Sequence, residues 1–445
     1  MTGPRGLPPA PVPDGATQAG EAPARGAWVE PSVWTARMLT ALDVGVKGGK
    51  WFSLVDKVYA PANLRAAFAR VKANRGSAGV DHVTVKEFEA HLEENLDRLH
   101  RALRAGTCRP QAIRRAWIPK PGSAEQRPLG IPTVRDRVVQ SALRNVLQPI
   151  FERDFAEHSY GFRPGRGTKD ALRRVDGLLK RGYTWVVDAD LKSYFDSIPR
   201  DRLMEQVRTK VADGRVLALV AAYLEQGVMD GLASWTPERG TPQGAVISPL
   251  LSNLYLDPLD HSMAERGFEM TRYADDFVVQ CRSEAEAREA LAAVEAWTAH
   301  AGLLLHPDKT RVVDATRKGG GFEFLGYHFE VGKRWPRKKS LAKLKDTLRA
   351  KTRRANGRSL AQTLTEVNRT LRGWFEHFKH SHWTWLRDLD KWLRMRLRGI
   401  LRKRSGRRGR ERGTDHQRWP NAFFDAQGLF STLAAQRALR QPSRR

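Results

Sequence analysis

Two short acidic clusters, far apart in the sequence, constrain this chain more than any other feature. Asp190 lies near the end of the β-rich apolar run 185–191 (WVVDADL), and Asp275–Asp276 interrupt the apolar run 268–281 (FEMTRYADDFVVQC). The first run predicts a buried strand with acidic residues at its end, and the second predicts a hairpin with an acidic turn. A carboxylate at such a position is costly, because like charges repel each other and burial removes its water. The fold must therefore supply something that neutralises these aspartates.

A divalent cation would remove both costs. Mg²⁺ prefers oxygen ligands, and proteins usually bind it through one or two carboxylates together with substrate phosphates. Two such ions about 4 Å apart can activate an attacking hydroxyl and stabilise the leaving group of an in-line phosphoryl displacement. Two adjacent aspartates alone would more simply indicate an acidic turn, since Asp favours turns. The residues around them decide between these interpretations.

The charge balance indicates a polyanionic partner. Lys and Arg number 77 against 49 Asp and Glu, a formal net charge of +28, and the excess is concentrated toward the C-terminus. Each phosphate that Lys or Arg neutralises releases a condensed counterion, so a clustered surplus favours nucleic acid over a merely solubilising surface.

Cysteine usage and hydropathy exclude several other classes of protein. Only Cys108 and Cys281 occur, with no Cys or His nearby at metal-ligand spacing, which excludes a disulfide framework and a zinc cluster. No apolar run approaches the roughly 18 residues of a membrane span, so no membrane partner is expected. We therefore expect a protein of a reducing cytoplasm.

Composition divides the chain into four predicted parts. Residues 1–50 begin with a stretch rich in Pro, Gly and Ala and are expected to form a flexible extension. Residues 51–332 mix helix and strand patterns, and 333–401 predict three basic, Trp-rich helices. Residues 402–445 carry a solvated cationic run and a short aromatic segment. The sequence thus predicts an α+β body followed by a helical module and a basic tail.

The neighbours of the aspartates resemble sequence blocks of reverse transcriptases. Tyr273-Ala274-Asp275-Asp276 resembles the YxDD hairpin of these enzymes, and Asp190 followed by LKSYFD resembles their other metal-binding strand. Five more blocks follow the order of the family, which makes coincidence negligible although each alone is moderate evidence. They are Lys120-PGSAEQ-Arg127-PLGIP, SYGFRPGRGT, Arg239-GTPQGAVISPL, Leu305-HPDKT and Phe324-LGY.

The blocks resemble bacterial group II intron-encoded reverse transcriptases and maturases more closely than retroviral enzymes. RVKANRGSAGVDHVTV resembles the block that precedes the fingers in that branch, and Val367-NRTLRGWFEHFK resembles its thumb or maturase helix. RWPNAFFDAQGLFS is similar to its small DNA-binding region. The resemblance implies a right-hand polymerase, with fingers and an antiparallel palm sheet in 51–332 and a helical thumb/maturase module in 333–401. It also implies a DNA-binding tail in 402–445 without the endonuclease domain of many relatives, so that priming would use an existing end.

The resemblance also implies roles for individual residues. Asp190, Asp275 and Asp276 would be catalytic and would bind two Mg²⁺ ions, or Mn²⁺, with Asp276 as the third carboxylate. Asp188 and Asp196 would support the strand instead. The expected nucleotide-binding residues are Lys120, Arg127, Phe195, Gln243 and Lys309. Phe195 would exclude a 2′-hydroxyl, although core packing also explains it, and Lys309 could equally be a surface lysine.

Basic residues in the matched blocks and the C-terminal modules are candidates for contacts with nucleic acid. In the predicted thumb they alternate with Trp and Phe, about half of which are expected in the helical core. The candidates are Arg163, Arg166, Arg372, Lys379, Arg402, Lys403, Arg404, Arg407 and Arg408.

The function implied is that of the RNA-directed DNA polymerase of a mobile group II intron. Such an enzyme would bind structured intron RNA, assist its splicing, and copy it into DNA at a DNA target, using a primer and dNTPs. Three alternatives stay open: a maturase without polymerase activity, a domesticated reverse transcriptase of DNA repair or CRISPR-type immunity, and an RNA-directed RNA polymerase. The intact set of Asp190, Asp275, Asp276, Gln243 and Lys120 argues against the first.

Overall fold

A computed structural model describes residues 28–119, 126–231, 233–355, 357–407 and 413–440. Of the residues singled out above, Lys120 and Arg408 lie outside the described residues, as do residues 1–27 of the predicted extension. Arg127 lies in a strand, but its side chain is outside the described part of the chain.

The N-terminal region packs around one long helix that is buried almost all round, the pattern of a core helix. Its residues include Val138, Val139, Leu143 and Val146, all fully buried. In chain order the elements are α1 (Ala36–Val44), α2 (Val55–Tyr59), α3 (Pro61–Ala73), α4 (Val85–Ala90), α5 (Leu92–Ala105), β1 (Ile113–Pro119), β2 (Gln126–Ile131), the core helix α6 (Val134–Glu152) and α7 (Thr168–Lys180).

The predicted flexible extension is wrong for residues 33–44. Trp34 is only 3% exposed, and its indole donates a hydrogen bond to the Asn145 carbonyl of α6 at 2.9 Å. Thr35 caps α1 by accepting from the Met38 amide. Burial of a large aromatic side chain against α6 therefore orders the C-terminal part of the predicted extension.

The central region is an antiparallel sheet with helices on both faces. Its elements are β3 (Trp185–Asp190), α8 (Tyr194–Ser197), α9 (Arg200–Lys210), α10 (Gly214–Leu224), β4 (Val228–Asp230), β5 (Ala233–Trp235), α11 (Ser248–Glu265), β6 (Glu269–Tyr273), β7 (Asp276–Cys281), α12 (Glu284–His300) and β8 (Arg311–Asp314). The strand order is β6-β7-β3-β8, and every pair is antiparallel. The hairpin predicted over 268–281 is confirmed as β6–β7.

Alternation along the strands explains why both runs are apolar. Val187, Phe277 and Val279 point into the main core with α11 and α12, whereas Val186 and Val278 pack on the opposite face with α7. Successive strand residues face opposite sides, so a strand covered on both sides must be apolar throughout. The aspartates are therefore the exceptions in strands that are otherwise buried.

Two further sheets flank this one. The first has the order β2-β1-β4-β5, with β1 and β4 parallel. The second has the order β11-β10-β9 and consists of β9 (Phe322–Phe324), β10 (Tyr327–Glu330) and β11 (Lys333–Pro336). The predicted boundary between residues 332 and 333 lies inside the β10–β11 hairpin. The α+β class predicted from the sequence is confirmed.

The C-terminal region is a helical module with its own apolar core. Its helices are α13 (Lys338–Lys351), α14 (Leu360–Phe378), α15 (Trp383–Arg404), α16 (Gly413–Arg418), α17 (Asn421–Ala426) and α18 (Thr432–Arg440). Phe424 and Leu429 share that core with Leu371 and Leu397 of the longer helices. Gln436 of α18 donates to the carbonyls of Lys379 and Ser381, both at 2.7 Å.

The predicted solvated tail from residue 402 is therefore wrong where the structure describes it. Arg402 to Arg404 form the last turn of α15, so the predicted boundary falls inside a helix. Arg402 is 7% exposed and donates to the buried Asp415 carboxylate at 2.9 Å. Arg402 therefore forms a buried ion pair, and the prediction that it contacts a phosphate of nucleic acid is wrong. Among the described helices, none is long and apolar enough to span a membrane.

We predict that Asp415→Ala lowers the stability of the helical module by about 3–5 kcal/mol, because it removes the carboxylate that neutralises buried Arg402. Asp388→Ala removes an exposed partner of Arg387 instead and should change stability by less than about 0.5 kcal/mol. Thermal unfolding of both variants beside the wild type measures the difference. Equal midpoints for the two variants would show that the Arg402–Asp415 pair contributes nothing.

Candidate active site

The sheet register brings the predicted catalytic aspartates to one corner. Asp190, the last residue of β3, pairs directly with Asp276, the first residue of β7. Asp275 lies in the two-residue turn between β6 and β7, because Tyr273 pairs with Asp276. By strand alternation, Asp190 and Asp276 share the sheet face of Val186 and Val278, on the side of β9 and β10.

The turn that carries Asp275 has a strained backbone. Ala274 has φ +60°, in the left-handed region that costs a residue with a side chain about 1–2 kcal/mol. Such a conformation persists where surrounding contacts impose it. Two sets of contacts, one from Arg272 and one from Gly161, do so here.

Arg272 of β6 is fully buried and secures the turn from within. Its Nε donates to both carboxylate oxygens of Asp260 on α11, at 2.8 and 2.9 Å, and its Nη2 donates to the same carboxylate. Its Nη1 donates to the Ala274 carbonyl at 2.9 Å and to Asn253 Oδ1 at 3.0 Å. Bidentate pairing of a guanidinium with a carboxylate fixes orientation as well as charge. The guanidinium therefore ties the turn to α11.

The loop of the SYGFRPGRGT block supports the turn from outside. The Tyr160 amide donates to the Arg272 carbonyl at 2.9 Å, and Asn253 donates to the Gly161 carbonyl at 2.7 Å. A Cβ on Gly161 would lie 2.2 Å from the Ala274 nitrogen, so only glycine allows this approach. Phe162 follows with φ +60° and is 51% exposed.

Burial and neighbouring charge perturb the carboxylate of Asp276. Its pKa is raised to about 7, chiefly by burial and also by the nearby carboxylates of Asp275, Asp188 and Asp190, while the hydrogen bond from the Leu325 amide at 3.5 Å opposes the shift. A cation at this corner would favour the ionised form. The raised pKa is thus the electrostatic signature of carboxylates gathered in one place.

Asp188 and Asp196 differ from the three corner residues in their surroundings. Burial raises the pKa of Asp188, and Arg311 of β8 opposes this by donating to its carboxylate at 3.3 Å. Asp196 lies on α8 and lines a cavity of about 200 Å³ together with Gln243. The supporting roles expected for both residues stay predictions.

Lys309 lies directly on the corner. Its ammonium contacts the Asp190 carboxylate, and the His306 amide donates to the Asp190 carbonyl at 2.7 Å. The loop between α12 and β8 therefore packs against the end of β3. Among the expected nucleotide-binding residues whose side chains the structure describes, Lys309 is the one in contact with an expected metal ligand.

Gln243 belongs to the loop 239–246, and this loop is hydrogen-bonded to the backbone of Phe195. The Thr241 amide donates to the Phe195 carbonyl at 2.7 Å, and the Gly130 amide donates to the Gln243 carbonyl at 2.6 Å. Gly244 has φ +100°, and a Cβ there would lie 2.3 Å from the Gly130 oxygen. The Phe195 ring is half-buried against the main core. Its partial exposure is compatible with both explanations offered for this residue, core packing and selection of the nucleotide.

Besides Arg402, the structure corrects the predicted contact of Arg163 with nucleic acid and leaves the other candidates as predictions. Arg163 is 6% exposed, and its guanidinium donates to Glu152 at 2.7 Å and to the Ser159 carbonyl at 2.9 Å. It organises its own loop and cannot reach a phosphate from there. Arg166 and Lys379 are partly exposed, and the exposed candidates are Arg372, Lys403, Arg404 and Arg407.

Sequence reasoning missed Arg272, Gly161 and Arg311. For Arg272 the signal was a charged residue inside an apolar strand, next to the acidic turn. Gly161 and Arg311 lie against residues that are distant in sequence, and no local sequence pattern identifies those residues.

The donor atoms suit a divalent cation that is bound together with a phosphate. Carboxylate oxygens are the ligands that Mg²⁺ prefers, and it commonly takes only one or two of them from the protein. In the part of the chain that the structure describes, no group of three His, Cys, Asp or Glu side chains is arranged to hold an ion unaided. Asp190, Asp275 and Asp276 would therefore act with substrate oxygens.

Comparison with known proteins identifies two family models along the chain. Residues 118–329 match "Reverse transcriptase (RNA-dependent DNA polymerase)", and residues 341–419 match "Group II intron, maturase-specific domain". The first family generally uses divalent metal ions. The second match indicates intron RNA, and nucleic acid more generally, as a ligand.

Two curated relatives and one solved structure illustrate the similarity. Protein YkfC of Escherichia coli (strain K12) is 34% identical over 291 residues, which are 56% of this chain and 74% of that protein. Group II intron-encoded protein LtrA of Lactococcus lactis subsp. cremoris is 36% identical over 196 residues, 44% of this chain but only 32% of LtrA. A chain of a Cas6-RT-Cas1–Cas2 complex is 25% identical, with 56% of this chain and 41% of that chain covered. Its TM-score of 0.37 is too low to carry an argument.

We predict that Gly161→Ala lowers the rate of the expected DNA synthesis about 100-fold, since the new Cβ would displace the Ala274 turn and a misplacement of about 1 Å costs that much. Gly214→Ala is the matched control, because a Cβ there meets nothing within 4 Å. Single-turnover kinetics of both variants provide the measurement. Wild-type rates for Gly161→Ala would mean that the turn tolerates displacement.

A second prediction follows from the raised pKa of Asp276. Its pKa of about 7 in the folded protein exceeds the ordinary value of 3.8, so the folded state holds a proton that the unfolded state has released. The resulting stabilisation is complete below about pH 4 and is lost as the pH rises through about 7. In EDTA, the difference in unfolding midpoint between wild type and Asp276→Asn should change over that window. Parallel pH curves for the two proteins would contradict the raised pKa.

Proposed function

Because the chain belongs to the family of group II intron-encoded reverse transcriptases and maturases, we propose that it copies RNA into DNA at the Asp190–Asp275–Asp276 corner in the service of a group II intron. The α+β right-hand polymerase fold and the RNA-directed DNA polymerase activity predicted from the sequence are those of this family. The observation that carries the proposal is the pairing of Asp190 with Asp276, beside the turn that presents Asp275.

The reaction joins the primer 3′-oxygen to the α-phosphorus of a dNTP and releases pyrophosphate. When bound, two Mg²⁺ ions supply activation of the 3′-hydroxyl and stabilisation of the leaving group. The three aspartates hold the position at which that chemistry occurs. The Lys309 ammonium contacts the Asp190 carboxylate. During the reaction it would leave that carboxylate and bind the pyrophosphate, where it would either donate a proton to the pyrophosphate or neutralise the charge of that group.

The remaining candidates would bind and select the nucleotide. Lys120 and Arg127 would hold the triphosphate, as a point charge and a planar donor fork respectively. Gln243 would contact the nucleotide from the loop that also borders Phe195. The Phe195 ring would clash with a 2′-hydroxyl and so favour dNTP over rNTP.

The helical module would bind the nucleic-acid partners. Arg372, Lys403, Arg404 and Arg407 are exposed on or just after α14 and α15, where they would contact phosphates without reading bases. Structured intron RNA and a primed DNA target are the partners that we propose, in the cytoplasm of a bacterium. The maturase-specific match over 341–419 favours this role over DNA repair or CRISPR-type immunity.

The experiment is primer extension on an RNA template with dNTPs and Mg²⁺, combined with a splicing assay on the cognate intron RNA. Asp275→Ala should reduce extension by about 10³-fold, since metal-ion catalysis supplies several kcal/mol and each 1.4 kcal/mol is a factor of ten. Splicing should be retained, because RNA binding by the helical module does not need this carboxylate. Asp97→Ala, which removes an exposed carboxylate on α5, is the control.

Wild-type protein that extends no template–primer pair yet supports splicing would leave a maturase without polymerase activity. Primer extension that persists in Asp275→Ala would show that the Asp190–Asp275–Asp276 corner is not the site of DNA synthesis.

A further inference from the structure

Helix α14 reaches the catalytic corner through one turn of the β9–β10 hairpin. Leu325 and Gly326 form that turn, because Phe324 pairs with Tyr327. The Leu325 amide faces Asp276 Oδ2 at 3.5 Å, and the Leu325 carbonyl accepts a hydrogen bond from His377 Nε2 of α14 at 3.0 Å. A single residue therefore links a catalytic carboxylate to the helical module.

The turn adopts a conformation that its own sequence does not favour. Leu325 has φ +48° and Gly326 has φ +85°. Glycine adopts this region freely, whereas leucine pays about 1–2 kcal/mol for it. Asn or Asp would be the usual residue at the first position of such a turn. A leucine there indicates that contacts from outside the hairpin hold the turn in place.

Those contacts come from the helical module. The Arg337 amide, immediately before α13, donates to the Gly326 carbonyl at 2.9 Å. A Cβ on Gly326 would lie 3.5 Å from Phe378 Cζ, so α14 packs closely over the turn. Together with the His377 bond, these contacts fix both carbonyls of the turn.

His377 is built to act as a neutral donor. The Leu325 carbonyl can only accept, so the proton of the neutral ring lies on Nε2. Burial lowers the pKa of His377, which keeps the ring neutral. Its own carbonyl accepts from the Tyr327 hydroxyl at 2.6 Å, and its ring lies edge-on to Phe378 with centroids 4.6 Å apart. The backbone of His377 and its imidazole ring are thus each held by a separate contact.

Other contacts join the two modules without touching Leu325. Trp335 of β11 stacks on Trp385 of α15 with centroids 5.7 Å apart, and Arg334 donates to the His380 carbonyl at 3.1 Å. These contacts hold the helices on the hairpin. The loss of the His377 bond would therefore leave the modules docked and would release only the turn.

We propose that His377 is a positioning residue, which holds the Leu325 amide against Asp276 and so couples the position of α14 to the alignment of the catalytic carboxylates. The inference rests on the proposed polymerase function and extends it. A duplex that shifts α14 on binding would thereby adjust the corner at which its 3′-end reacts. The residue would act through Leu325 and Asp276, without touching the substrate.

The test compares His377→Phe with His377→Gln. Phenylalanine keeps the ring packing and removes the donor, whereas the glutamine amide nitrogen can occupy the place of Nε2 and donate to Leu325. His380→Phe is the matched control, since His380 is exposed on the same segment. Mn²⁺ affinity is measured by electron paramagnetic resonance in complexes with an RNA template, a dideoxy-terminated primer and a dNTP. Values of kcat, KM and Tm are measured beside it.

His377→Phe should weaken Mn²⁺ binding and lower kcat by about 10–100-fold, with little change in KM. Losses of this size are typical when a group that orients a metal ligand is removed. His377→Gln should recover both to within about threefold, and His380→Phe should behave as wild type. Unchanged Mn²⁺ affinity in His377→Phe, or equal losses in the Phe and Gln variants, would overturn the proposal. A wild type without extension activity would instead refute the proposed function, and the Mn²⁺ titration would still decide the role of His377.

Discussion

The buried guanidinium of Arg272 bonds to Asp260 and to the Ala274 carbonyl, and the geometry of the Asp190–Asp275–Asp276 corner depends on that interaction. Three carboxylates that repel one another cannot define their own geometry, so the surrounding structure must impose it. Arg272 does this from inside the sheet, where few water molecules compete for its donors. The close approach of Gly161 then fixes the turn from the other side.

A second consequence of this arrangement is that the corner lies where separate parts of the chain meet. The sheet face of Asp190 and Asp276 points toward the β9–β10 hairpin, and α14 packs on that hairpin through Phe378 and His377. Lys309 arrives from the loop after α12. Residues that are far apart in the sequence thus meet at one corner of the sheet.

The sequence predicted the features that short-range patterns determine. Apolar runs interrupted by aspartates predicted β3 and the β6–β7 hairpin, because a strand covered on both faces must be apolar elsewhere. The errors arose where a polar residue is buried by a partner distant in sequence. Arg402 belongs to an arginine-rich run, but Asp415 neutralises it inside the helical core. Arg163 is buried in its own loop, where Glu152 neutralises it. Trp34 is held by Asn145, which no local composition indicates.

The central claim is that Asp190, Asp275 and Asp276 form one metal centre for templated DNA synthesis. Anomalous diffraction from crystals of the ternary complex grown with Mn²⁺, an RNA template, a dideoxy-terminated primer and a dNTP tests it most directly. The account predicts two anomalous peaks about 4 Å apart, in contact with these carboxylates and with the dNTP phosphates. Peaks at other carboxylates, such as Asp188 or Asp196, with none at this corner, would contradict it.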